Sequence, residues 1–197
     1  MHIPSPPTTS LLTILTLLLT STSALPVNPR TTTTNSTSLS YLKTTLLTSC
    51  TANTYCDTSP HDNLYVSSYH TGAGESDATL SSDHGVAGSL INETYWQFEI
   101  GEYQWGMNLE IQTFYTSWQP VSILTFSPGT AGMTLSSTTD DSTKYLNPPE
   151  PYGGWLVCDW WHASTPQLFY LVDPVGEDTD LVFPDSCTRV LLALEAV

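Results

Sequence analysis

The chain has 197 residues, 40% hydrophobic and 11% aromatic, enough apolar surface for one cored domain with appendages. Four basic residues, Arg30, Lys43, Lys144 and Arg189, stand against 19 acidic ones, for a formal charge of −15. Such a chain repels phosphate backbones and anionic bilayers, which argues against nucleic acid and membrane surfaces as partners.

The first predicted element is a secretory signal peptide. An apolar run from Leu11 to Leu19 is followed by small residues ending at Ala24. The run is too short to span a bilayer. Its n-region departs from the usual pattern in lacking Lys and Arg. Cleavage after Ala24 would start the mature chain at Leu25. The lead-in that follows, residues 25–40, is rich in Pro, Ser and Thr without apolar period and reads as disordered and O-glycosylatable. The N-glycosylation sequons fall at Asn35-Ser-Thr and Asn92-Glu-Thr.

From Tyr41 to the end the apolar period is two, and short runs are punctuated by Gly, Pro, Asn and Asp. The alternation predicts strands at Tyr41–Leu47, Leu64–Tyr69, Tyr95–Ile100, Met107–Phe114, Val121–Phe126, Trp155–Asp159, Leu168–Val172 and Arg189–Leu194. Weaker signals lie at Ala78–Leu80 and Gly132–Leu135. Eight to ten short strands at this spacing predict one all-β domain, residues 41–197, built as an antiparallel β-sandwich or β-barrel.

One hairpin can be argued in register. With "GEYQWG" as its loop, Ile100 pairs with Met107, Phe98 with Leu109 and Trp96 with Ile111, giving an apolar face. The opposite face then carries Glu99 and Glu110 as diagonal neighbours. Paired carboxylates beside a sugar groove are what glycoside hydrolysis uses, with Tyr95 and Gln97 placed to bind hydroxyls. The plainer reading is a polar face turned to water. Trp105, at the expected loop tip, has no core role and is a candidate binding aromatic.

In "WLVCDWWH", Leu156, Cys158 and Trp160 share one strand face while Trp155, Val157 and Asp159 share the other. Both faces are largely apolar, which predicts a strand buried on both sides. A buried Asp159 would need a partner such as His70, His162 or Arg189.

Four cysteines in a secretory context predict two disulfides, with three pairings possible. The short spacing favours Cys50 with Cys56, leaving Cys158 with Cys187. The cysteines show no zinc-like spacing, and His61, His70, His84 and His162 occur singly, so no metal or cofactor is expected. A lone histidine is more often a structural hydrogen-bonder. Ser76 in "GAGESDA" lacks the closing glycine of a nucleophile elbow. A copper monooxygenase would need histidine, not Leu25, as its first mature residue. Asp173, Glu177, Asp178, Asp180 and Asp185 form an acidic loop without EF-hand spacing, read as solvated rather than calcium-binding.

The stretches "DNLYVSSYHTGAGESDATL", "QFEIGEYQWGM" and "GGWLVCDWWHASTPQLFY", with Ser186-Cys187, resemble a family of small secreted fungal proteins of unknown function. The resemblance covers roughly residues 41–195 and implies secretion and a compact β-rich domain, with no activity to carry over. The family's motif cysteines match Cys158 and Cys187, whereas Cys50, Cys56 and much of the acidic loop lie outside its pattern. The expected function is a non-catalytic extracellular domain that binds a ligand or partner, glycans included. The alternative is a glycan-active hydrolase using Glu99 and Glu110.

Overall fold

The computed structural model describes residues 38–47, 60–111, 117–137, 142–160, 165–172 and 184–197. These residues contain thirteen strands and no helix: β1 (Ser40–Leu46), β2 (Tyr65–Gly72), β3 (Glu75–Ser81), β4 (Gly88–Ile91), β5 (Tyr95–Ile100), β6 (Tyr103–Asn108), β7 (Trp118–Pro120), β8 (Ser122–Thr125), β9 (Thr134–Ser137), β10 (Lys144–Asn147), β11 (Gly154–Cys158), β12 (Gln167–Leu171) and β13 (Cys187–Ala196).

Nine of them form a closed antiparallel barrel in the order β1-β4-β5-β6-β8-β3-β12-β11-β13. The seam is long: β1 and β13 pair over seven positions, from Ser40 with Ala196 to Leu46 with Val190. β3 is shared along its length, pairing Glu75–Asp77 with β8 and Thr79 with β12. Outside the ring, β2 lies along β3 and touches β1, β10 and β9 extend from β13, and β7 pairs with β12. Of the two expected architectures, the barrel is the one adopted.

Strand alternation fills the barrel. Trp96 and Phe98 of β5, Met107 of β6, Ile123 of β8 and Trp155 of β11 are all within 2% of full burial and belong to one cluster. Trp155 Nε1 donates to the Leu146 carbonyl at 2.7 Å, tying β11 to β10, which follow one another along the edge of β13 opposite β1.

A second cluster lies on the other face of β11 and β12: Leu156, Cys158, Phe169, Leu171 and Cys187, covered by Trp118 and Trp160. Trp118 packs edge-on to Phe169 at 5.1 Å and to Trp160 at 5.6 Å between centroids. The predicted two-sided burial of "WLVC" therefore holds. Trp155 and Val157 point into the barrel, while Leu156 and Cys158 point under the aromatic lid.

The Cys158–Cys187 disulfide is present, joining residues directly opposite each other on β11 and β13. Its 29-residue separation corresponds to a contribution of about 3 to 4 kcal/mol on the chain-entropy model. Cys50, Cys56, Asn35, His162 and residues 173–180 lie outside the described residues.

Candidate functional site

The hairpin register differs from the one expected. Gly101 has φ 61°, which only glycine adopts freely, and it allows a two-residue turn through Glu102 immediately after Ile100. Ile100 therefore pairs with Tyr103, Glu99 with Gln104 and Phe98 with Trp105. Each β5 partner moves four positions along the second strand, an even number, so every side chain of β5 keeps its face.

The consequences for the proposed carboxylate pair are larger. Glu110 lies six residues beyond Gln104, the partner of Glu99, and past the end of β6, so the two glutamates are not cross-strand neighbours. Glu110 instead lies within electrostatic reach of Tyr170 on β12. Burial, then Tyr152 and Glu110, push the Tyr170 phenol above its ordinary value. Ile111, expected opposite Trp96 in the core, is 65% exposed.

Trp105 is not at a loop tip. It sits within β6, half-buried against the core, and its indole Nε1 donates to the Ile100 carbonyl at 3.0 Å. Gln97 donates through its side-chain amide to the Pro128 carbonyl at 3.2 Å, and Tyr95 begins β5 opposite Ile91. Asp159 and His70, expected in a buried motif, are both exposed. The strand ends at Cys158, so Asp159 leaves the sheet, and His70 lies at the outer end of β2. The partner of Asp159 is a histidine not paired with it from sequence: His61 Nε2 stands 2.9 Å from its carboxylate.

What the register does assemble is an aromatic rim at one end of the barrel. Tyr103 and Trp105 continue the inward-facing row of Met107 towards the hairpin turn, and Tyr103 is 48% exposed. Phe126, just past β8, is 69% exposed and packs edge-on to Tyr103 with centroids 5.4 Å apart. Its φ is 59°, a left-handed conformation unusual for a bulky residue.

The surroundings hold it there. The Phe126 amide donates to the Gln104 carbonyl at 3.1 Å, and the preceding Thr125 amide donates to the Gly74 carbonyl at 2.9 Å. Beyond it, the Ser127 hydroxyl bonds the Asn108 side chain, the Thr130 amide donates to the Met107 carbonyl, and the Leu109 amide donates to the Thr130 hydroxyl. Gly106 is the point of closest approach, where an added Cβ would lie 2.3 Å from the Gly129 nitrogen. Turns from β2–β3, β5–β6 and the end of β8 thus converge around two exposed rings.

Residues 41–196 match the model of a family described only as a domain of unknown function, DUF7907. The chain belongs to that family. No curated protein and no solved structure matches it. In this DUF7907 domain no three His, Cys, Asp or Glu side chains among the described residues are grouped to hold a metal ion. No helix among them is long and apolar enough to cross a membrane. Tyr103 and Phe126, the exposed rings of the DUF7907 rim, escaped sequence reasoning. An aromatic at the end of a strand reads as core, and nothing in "TFSPG" announces a left-handed phenylalanine.

Proposed function

We propose that this protein is a secreted, non-catalytic binding domain whose recognition surface is the rim of Tyr103, Phe126 and Trp105. The observation that carries the reading is Phe126. A left-handed non-glycine residue costs roughly 1 to 2 kcal/mol, and exposing a phenylalanine forgoes its burial, so the fold spends stability twice to display this ring. Strain of this kind persists where neighbouring structure over-determines it, and it concentrates at functional sites. The signal-like N-terminus, the Cys158–Cys187 disulfide and the resemblance to secreted fungal proteins support an oxidising, extracellular location. The sequon at Asn92 agrees with this: Asn92 and Glu93 have φ 51° and 58° in an exposed turn between β4 and β5.

The test is a binding screen of the purified protein on glycan and extracellular-protein arrays, run alongside Phe126→Ser and Tyr103→Ser. Ligands retained by the wild type and lost by both variants are expected. Hits indifferent to both substitutions would remove the rim as the binding surface. N-terminal sequencing of protein from the culture medium is expected to begin at Leu25; a retained Met1 would contradict a cleaved signal.

A further inference from the structure

The charge around the rim narrows what it takes. Glu102 forms the hairpin turn next to Tyr103, and Glu75 pairs with Leu124, two residues before Phe126. The histidine at this end is the exposed His70, opposite Ser76 beside Glu75, and the described lysines and arginine are engaged or placed elsewhere. Lys43 binds Glu195 on the β1–β13 seam, and Lys144 lies on β10. Arg189, half-buried on β13, has its guanidinium at the Gly153 carbonyl. The rim therefore offers exposed aromatic faces beside carboxylates, with no Lys or Arg among the described residues set against them.

Resting on the reading of the rim as a binding surface, we infer that its occupant is an arginine-bearing segment of a partner protein. A guanidinium is planar and weakly hydrated, so it stacks on an aromatic ring while its edge forks to a carboxylate. Arginine uses both features of the rim at once. The lysine ammonium is compact and strongly hydrated, and engages them less well. A neutral ligand would leave the carboxylates unused.

The experiment is calorimetric titration of the full secreted protein at physiological salt with an arginine octapeptide, a lysine octapeptide, a glucosamine hexamer and a neutral glucose hexamer. The arginine peptide is expected to bind tightest. Phe126→Leu, which keeps an apolar side chain but removes the ring, should weaken it by about three- to tenfold, and Tyr103→Ser should act in the same direction. Glu102→Gln should weaken both peptides by about two- to fivefold. The thermal midpoint of each variant reports whether it is folded, and Phe126 and Tyr103 give two independent routes to the same readout. Equal binding of both peptides, unchanged by either aromatic substitution, would mean diffuse attraction to a chain of charge −15 and would overturn the inference. Failure of both peptides to bind would overturn it too. Tighter binding of either sugar, lost in Phe126→Leu, would also overturn it while leaving the rim as the recognition surface.

Discussion

His61 and Asp159 are 98 residues apart in sequence and meet at 2.9 Å, the histidine almost fully buried and the aspartate side chain 60% exposed. The other ring nitrogen of His61 lies 3.1 Å from the Thr188 hydroxyl, which is itself buried. One imidazole thus joins the turn before β2 to the end of β11 and the start of β13, beside the disulfide. His61→Ala would remove both ring contacts of a buried imidazole, at a cost of about 1 to 3 kcal/mol. The thermal midpoint should fall by roughly 3 to 10 °C. Asp159→Ala removes only an exposed partner and should cost under about 1 kcal/mol. Equal losses in the two variants would contradict this division of labour.

Gly106 lies in the middle of a strand, where glycine ordinarily weakens the sheet, because another stretch of backbone occupies the space of its side chain. A Cβ there would meet Gly129 and Pro128 backbone atoms at 2.3 to 2.6 Å, and neither can move as the end of a flexible side chain could. Gly106→Ala is expected to destabilise the domain by about 1 to 3 kcal/mol or more. Hydrogen exchange should localise the damage to residues 126–130. Protection of the Thr130 amide that stays at the wild-type level would show the clamp to be softer than its geometry implies.

Phe126→Asn exchanges a strained ring for a residue that visits the left-handed region readily. The ring is 69% exposed, so little burial is lost, and the variant should melt about 1 to 3 °C higher while losing rim-dependent binding. Stability and recognition would move in opposite directions. A lower melting temperature would show that the contact with Tyr103 outweighs the strain.

Glu195 accepts hydrogen bonds from the Tyr65 hydroxyl at 2.8 Å and the Lys43 ammonium at 3.0 Å. Tyr65 first, and Lys43 second, hold the Glu195 carboxyl below its ordinary value, while Glu195 raises Lys43. The carboxylate's contribution to stability is present above its unfolded pKa and lost as pH falls through the lowered folded value. The ammonium's contribution is present below its unfolded pKa and lost as pH rises through the raised one. The pair therefore favours the fold across neutral pH and does so at neither extreme. Tyr65→Phe should move the Glu195 titration, followed by carboxyl NMR, back towards the ordinary range; an unmoved titration would mean that Lys43 alone sets it.

Period and polarity were enough to place most strands. β1, β5, β8, β11 and β12 fall within one residue of their expected ends, since each alternates cleanly or is apolar throughout. The expectation missed β4, β7 and β10, which are three or four residues long and too short to show a period. The hairpin shows where local reading stops. Its faces were legible because parity survives an even shift, but its turn was not, because "EYQWG" resembles a loop until Gly129 is known to lie against Gly106. Burial of "WLVC" on both sides was legible from composition. The fate of Asp159 was not, because its partner is set by a turn nearly a hundred residues away. The rim was invisible for a similar reason: exposure of Phe126 depends on one backbone angle and three converging turns, none of which leaves a pattern in the letters.

The seam between β1 and β13 sets an order of events during synthesis. Ser40 pairs with Ala196 and Leu46 with Val190, so the first described strand finds one of its flanks only in the last. While the chain is being made, β1 emerges early and β13 is still inside the ribosome. The ring cannot close until residue 196 is clear, and the disulfide, whose second cysteine opens β13, must wait for the same moment. The barrel is therefore an object that no partly made chain can hold, however much of its interior has already emerged.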